Sequence, residues 1–243
     1  MARLAARLTA VAAGCVLGLT AVAASAQSDA IDRGKTLYVE SCASCHGSSG
    51  AGTGNGPSLV ESGAAAADFY LRTGRMPLAG PNDQAVRKDP LFSAEEIEAI
   101  VAYVATFGSG PAIPELFTDS ASLQLGASLY VGNCAPCHGA GGNGGAAGRD
   151  AIAPGLHRAT EVEIAEALLV GPGQMPRFGF SQAERDAVVA YVAHLDEAED
   201  PGGADIGGIG PVPEGFVAWA VGMSSLLVVS LLIGSRRKRE GAS

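Results

Sequence analysis

The sequence predicts an all-α protein: two small helical domains in series, followed by one apolar helix near the C-terminus. Three observations carry that reading. The stretch GKTLYVESCASCHG, from Gly34 to Gly47, returns 92 residues later as GASLYVGNCAPCHG, from Gly126 to Gly139. Each copy is followed by a segment with helical apolar spacing, VAYVATF (101–107) and VAYVAHL (189–195), and nothing between them reads as a run of strands. Finally, Phe216 to Ser235 is a run of 20 residues without a charge, with Arg236, Arg237, Lys238 and Arg239 directly after it.

At the N-terminus, Arg3 and Arg7 precede an apolar stretch from Leu8 to Ala24 that closes on Ala24-Ser25-Ala26. This is the layout of an export signal, so residues 1–26 are expected to be a leader cleaved after Ala26. An uncleaved anchor is the alternative. Cys15 lies inside this segment with Ala12, not Leu, three residues before it, which favours a small residue in a discarded peptide over a lipid attachment point.

The first domain is expected over 27–110. A helix from Asp29 to Tyr38 leads into the first Cys-containing turn, and a short helix over Ala64–Arg72 interrupts the long loop. Ser93 is placed to cap the last helix with Glu96 at the capping-box position, and Ile97, Ile100, Val101 and Val104 supply its apolar face. PAIPE (111–115) is the joint to a second domain over 111–200. There Glu161–Val170 repeats the short helix, and Ser181 with Glu184 repeats the cap before Val188, Val189 and Val192. Phe92-Ser93 and Phe180-Ser181 stand 88 residues apart, not 92, so the length changes fall in the loops. The chain is a tandem duplication of a unit of about 85 residues. Residues 201–215 form a Gly-rich linker. The 216–235 segment, at about 1.5 Å per residue, is about 30 Å of helix and long enough to cross a bilayer. The basic tail, 236–243, then belongs in the cytoplasm and the two domains outside, with Trp219 suited to the outer interface.

Gly is 34 of 243 residues and aromatics are 5%. Units this small, with few large side chains, need something besides polypeptide to complete their cores. Between Gln27 and Gly215 there are 24 acidic and 10 basic residues, a net of −14. That balance argues against nucleic-acid binding. It suits a well-solvated domain, or one that meets basic partners.

The duplicated C-x-x-C-H motif carries the chemistry. Two thiols at this spacing can each add across a vinyl group of one porphyrin, and the adjacent imidazole then lies under the iron. The pattern is that of c-type haem attachment. Cys42, Cys45, Cys134 and Cys137 are the candidate attachment points, with His46 and His138 as proximal ligands. Zinc usually needs four protein ligands, and each copy offers two Cys and one nearby His; a disulfide is the plainer alternative in an exported protein. Each unit also holds one methionine in a matching setting, Arg75-Met76-Pro77 and Gln174-Met175-Pro176. Met76 and Met175 are the candidate distal ligands. A thioether favours ferrous iron and raises the reduction potential, although both could instead fill core gaps. His157 has no counterpart in the first unit and is expected at the surface or the propionate side; His194, in the last helix, is expected to be structural. The Gly-rich stretches Gly47–Pro57 and Gly139–Pro154 allow the backbone to approach a flat ring closely. The carbonyls of Pro57 and Pro154 are candidates to accept the Nδ1–H of His46 and His138. Tyr38 with Tyr103, and Tyr130 with Tyr191, are expected to be helix-packing pairs.

From about Ser28 to Leu195 these motifs resemble the class I cytochrome c fold, present twice. The order of leader, two such domains, GGIGPVPEG linker (207–215), one membrane helix and basic tail resembles the dihaem cytochrome c subunit of quinol–cytochrome c reductase. The resemblance implies two covalently bound haem c groups, held through Cys42, Cys45, His46 and Met76 and through Cys134, Cys137, His138 and Met175. It implies cytochrome b and Rieske iron–sulfur subunits as partners. It also implies transfer of electrons from the Rieske protein to a cytochrome c oxidase in the same assembly, with no substrate pocket in this chain. A free-standing membrane-tethered dihaem carrier and a dihaem peroxidase are the other readings. Two matched methionines argue against the peroxidase, which needs an open or reversibly His-ligated haem. A dihaem oxidase subunit with an N-terminal anchor fits less well, because the clear anchor is at the other end.

Overall fold

The computed structural model describes residues 27–81, 83–148, 151–197 and 211–240. The expected leader, the linker residues 201–210 and the last residues of the tail lie outside the described residues. In chain order the helices are α1 (27–41), α2 (Ala43–His46), α3 (Gly63–Arg72), α4 (Ala94–Val104), α5 (Leu123–Asn133), α6 (Ala135–His138), α7 (Glu161–Val170), α8 (Gln182–Glu197) and α9 (Pro211–Glu240). A 3₁₀ turn spans Thr118–Ser120, and two short strands, β1 (Gly145–Gly148) and β2 (Ala151–Ala153), pair antiparallel. By contact the described chain forms two compact units. One runs to Leu116 and takes in Val162–Gly179; the other holds Phe117–Glu161 and the chain from Phe180.

The first unit is built on the crossing of α1 and α4. Gly34 sits at that crossing because nothing larger fits: a Cβ there would stand 1.9 Å from the Ala99 carbonyl oxygen. Close backbone approach lets Tyr38, Leu71, Ile97, Ile100, Val101 and Val104 bury together as one core. The expected cap of α4 is present in full: the Glu96 N–H donates to Ser93 Oγ at 3.3 Å, and the Ser93 N–H donates to Glu96 Oε2 at 3.0 Å. Two donors that α4 cannot satisfy internally are thereby satisfied.

The second unit repeats the design with α5 on α8. Gly126 takes the place of Gly34, and a Cβ at this position would fall 2.0 Å from the Ala187 carbonyl oxygen. Tyr130, Val188 and Val189 are buried behind it. Ser181 caps α8 as Ser93 caps α4, its N–H donating to Glu184 Oε2 at 2.8 Å. The β1–β2 hairpin is a departure from the strandless reading. Its residues are Gly, Ala and one Ile, so no alternation of large apolar and polar side chains announces it, and pairing of the main chain alone makes the ladder.

Met175 and α7, which the sequence assigns to the second repeat, pack with the first unit. Helix α7 carries its apolar residues almost all round, with Ile164, Ala165, Leu168 and Val170 buried. Val170 lies against Ala65 and Ala66 of α3, where small side chains let the helices approach.

Helix α9 is 30 residues long and begins at Pro211, so residues 211–215 of the expected linker are helical. Proline is well tolerated in the first turn of a helix, where its missing N–H costs nothing. From Gly215 to Gly234 the helix is apolar over 20 residues, and none of that stretch is buried by the rest of the protein. Trp219, Leu226 and Leu231 stand more than 60% exposed. An exposed apolar cylinder of this length fits a membrane anchor.

Candidate functional site

Each C-x-x-C-H motif forms a single helical turn, and both turns are built alike. In the first, the amides of Cys45 and His46 donate to the Cys42 carbonyl at 3.1 and 2.9 Å; in the second, those of Cys137 and His138 donate to the Cys134 carbonyl at 3.1 and 2.8 Å. Gly47 and Gly139 end the turns at φ 77° and 78°, in the left-handed region that glycine tolerates. The chain then doubles back. Gly52 N–H donates to the His46 carbonyl at 2.8 Å, and Gly144 N–H donates to that of His138 at 2.8 Å.

The returning loop fixes the imidazole. His46 Nδ1 lies 2.8 Å from the Pro57 carbonyl oxygen, and His138 Nδ1 lies 2.9 Å from that of Pro154. A carbonyl only accepts, so Nδ1 carries the hydrogen in both rings. In the neutral ring Nε2 then carries the lone pair, which is the tautomer a metal-binding histidine needs. The carbonyls expected from the two x-Pro-x-Leu segments are therefore the acceptors.

The four thiols are free. Burial, with the neighbouring Cys45 thiol adding to it, pushes Cys42 up to about 11, and burial beside Cys137 pushes Cys134 to about 11. Tyr38 and Tyr130 back the two turns. Each is fully buried as a residue, and its hydroxyl donates to the carbonyl of Gly47 or Gly139, at 2.8 and 2.7 Å. Burial pushes both phenols up to about 12, so they remain donors. Tyr38 meets Tyr103, and Tyr130 meets Tyr191, with ring centroids 5.4 Å apart in each pair, as the repeats predicted.

Met76 and Cys42 pack against the same buried cluster in the first unit. Helix α3 ends at Arg72, and the Met76 N–H returns to the Tyr70 carbonyl at 3.1 Å, which holds the methionine against the end of that helix. Met175 is half-buried in the comparable position after α7. Its N–H donates to the Pro172 carbonyl at 3.1 Å, Arg177 Nε donates to the Val170 carbonyl at 3.0 Å, and Phe178 N–H donates to that of Leu168 at 2.9 Å.

His157 is not held ready for a metal. Its Nε2 meets Asn143 Oδ1 at 2.9 Å and its Nδ1 meets the Asp196 carboxylate, so both ring nitrogens are engaged. It ties the Gly-rich loop to α8. In the first unit an apolar contact does that work: Phe107 sits over Gly50, where a Cβ would be 2.4 Å from its ring. His194 is exposed on α8 beside the Tyr191 ring.

Sequence reasoning missed a buried charged cluster on α3 and α7. Asp68 is 3% exposed and accepts from Arg72 Nε at 2.8 and 2.9 Å through its two oxygens. Glu163 accepts from Arg87 Nη2 at 2.9 and 2.8 Å. Glu166 is wholly buried, with its carboxyl against that of Asp68. Neither of its oxygens has a donor, and two carboxyls in contact are both acceptors unless one keeps its proton. Burial first, and Asp68 second, push Glu166 up to about 9, so it is the protonated partner. A periodicity reading of α7 gives no sign of this, because Glu163 and Glu166 look like solvated residues until a partner helix covers them.

Each C-x-x-C-H turn suits haem c, offering paired free thiols and an imidazole oriented through Nδ1. Two such motifs in one chain define a protein built from cytochrome c domains, with haem c as the cofactor that class of domain carries. The match to relatives is closer than the class. The chain is 41% identical to the cytochrome bc1 complex cytochrome c subunit of Mycobacterium tuberculosis over 228 residues, covering 89% of this chain and 81% of that protein. It is 38% identical over 237 residues to the subunit of the same name from Corynebacterium diphtheriae, covering 88% and 84%. The chain belongs to the family of cytochrome bc1 complex cytochrome c subunits. Residues 31–108 match the cytochrome c family, and residues 121–192 match the family described as cytochrome c oxidase, cbb3-type, subunit III. A cbb3-type oxidase subunit CcoP of Azospirillum brasilense is 28% identical over 162 residues, 57% of this chain and 53% of that protein.

Proposed function

We propose that this chain is the dihaem electron-carrying subunit of a quinol–cytochrome c reductase, anchored in the cell membrane by α9. It takes electrons from the Rieske iron–sulfur protein and passes them to a cytochrome c oxidase, beside a cytochrome b subunit. The observation that carries the proposal is the repeated hydrogen bond from His Nδ1 to a proline carbonyl, found in both C-x-x-C-H loops. Cys42 and Cys45 would hold one haem covalently, with His46 and Met76 as the groups offered to its iron; Cys134 and Cys137 would hold the other, with His138 and Met175. By sequence repeat the two domains are residues 27–110 and 111–200, with Val162–Gly179 of the second packed in the first compact unit. When bound, haem supplies one-electron exchange between ferrous and ferric iron. The chain's own part is to orient and to tune. The Pro57 and Pro154 carbonyls draw on Nδ1–H and raise imidazole basicity, which favours ferric iron. The methionine thioethers pull the other way and raise the potential.

The domains lie on the outer face of the membrane and the basic tail inside. Only 201–210 separate the second domain from α9, and so short a lead gives a reach of a few tens of ångströms, about 3.3–3.6 Å per residue at most. That confines the haems to a neighbouring complex, where a tether raises effective concentration. Three measurements test the reading. Denatured protein should retain haem stain and exceed the processed polypeptide mass by two haems, and Cys42→Ala with Cys45→Ala should remove one of them only. Mild detergent extraction should bring cytochrome b and a Rieske protein along with the chain. A form ending near Gly203 should be a soluble, spectrally normal dihaem protein that restores quinol oxidation poorly. Full restoration by that form, at native abundance, would mean a freely moving carrier suffices.

A further inference from the structure

We infer that Arg87 and Glu163 form a positioning pair for Met175, so that a residue of the first repeat sets how firmly the second repeat offers its distal ligand. The inference rests on the reading that Met175 is an iron ligand. Its physical basis is the packing of Val162–Gly179 with the first unit. Arg87 Nη2 reaches both oxygens of Glu163, at 2.9 and 2.8 Å, and the Glu163 side chain is only 7% exposed. A charge-assisted pair of this kind, shielded from water, is stronger and more directional than a surface pair. It fixes the first turn of α7.

The far end of α7 is fixed by Val170 against Ala65 and Ala66. From there the connection to Met175 is short. Gly171 turns the chain at φ 64°, and Arg177 and Phe178 fold back onto the Val170 and Leu168 carbonyls at 3.0 and 2.9 Å. Met175 is therefore on a loop clipped to α7, and α7 is clipped to the first unit through Glu163 and Val170. Helices move as rigid bodies, so loosening either clip loosens the loop. Arg87 itself lies on the segment after Met76, whose Lys88 N–H donates to the Thr73 carbonyl at 3.1 Å. One ion pair thus joins the segment after Met76 to the helix that carries the Met175 loop.

The experiment uses full-length holoprotein in detergent, with cyanide as the probe. Cyanide enters a methionine-ligated ferric haem only when the methionine lets go, so its rate reads the loop. Met175→Leu first identifies the phase that belongs to the second haem and tests the ligand reading separately: loss of one haem's methionine–iron band is required. Arg87→Gln and Glu163→Gln should each accelerate that phase several-fold, by similar factors. The exchange of Arg87→Glu with Glu163→Arg should bring it back towards the wild-type rate. Support requires both the acceleration and the recovery. An unchanged phase in the single variants, or acceleration that the exchange leaves in place, would overturn the pair while leaving Met175 a ligand.

Discussion

Glu166→Gln isolates the most unusual group in the protein. Glu166 is 0% exposed and sits against Asp68, whose charge is already committed to Arg72. Its folded-state value is about 9 against an ordinary 4.5. An acid raised in this way keeps a proton in the folded state that the unfolded chain releases. Stability from this source is therefore greatest below pH 4.5 and is lost as pH rises towards 9. Each pH unit in the window costs about 1.4 kcal/mol, so holding the proton costs about 3 kcal/mol at pH 7, and stability should fall by up to about 4 kcal/mol between pH 5.5 and 8.5. Glutamine keeps the shape, donates to Asp68 through its amide and has no proton to lose. The variant should unfold at higher guanidinium concentration at pH 7 and above, gain about 2–3 kcal/mol there, and show a flatter pH profile. The assay is Soret circular dichroism of detergent-solubilised holoprotein through a guanidinium titration at several pH values. If wild type and variant give the same slope of stability against pH, Glu166 does not hold a proton in the folded state and the account of the α3–α7 contact is wrong.

Other expectations follow from the same geometry. Met76→His and Met175→His should each lower the potential of one haem, seen by redox titration, and the double variant should lose the methionine–iron charge-transfer band. Gly34→Ala and Gly126→Ala should each separate a pair of crossing helices, costing stability at the upper end of about 1–3 kcal/mol, measurable by chemical denaturation. Ser93→Ala should cost about 1 kcal/mol by removing one half of the capping box, and Ser181→Ala about the same.

Much of the fold was legible because the sequence states it twice. The caps at Ser93 and Ser181, the tyrosine pairs and the proline carbonyls could be read by laying one repeat over the other, and all are present. Gly34 and Gly126 recur in that alignment too, yet only the helix crossing explains them. Some features occur in one repeat alone, and those were less legible. His157 bridges Asn143 and Asp196 because the second loop lacks the Phe107 contact of the first, a substitution of polar for apolar clasp that no spacing rule anticipates. The α7 charges were invisible for a different reason. Whether a glutamate on an apolar helix is solvated or buried depends on which surface covers it, and Asp68 and Arg87 lie 98 and 76 residues away in the chain.

The His46 and His138 imidazoles are held by main-chain oxygens. No exchange of side chain at position 57 or 154 can delete an acceptor that belongs to the peptide group itself. Mutation therefore has little direct purchase on that half of each site. On the proposed ligation, any difference in potential between the two haems would have to be written elsewhere: in the methionine loops, in the clasp between loop and last helix, and in the charges around them. Redesign of electron affinity in this protein should begin at those positions.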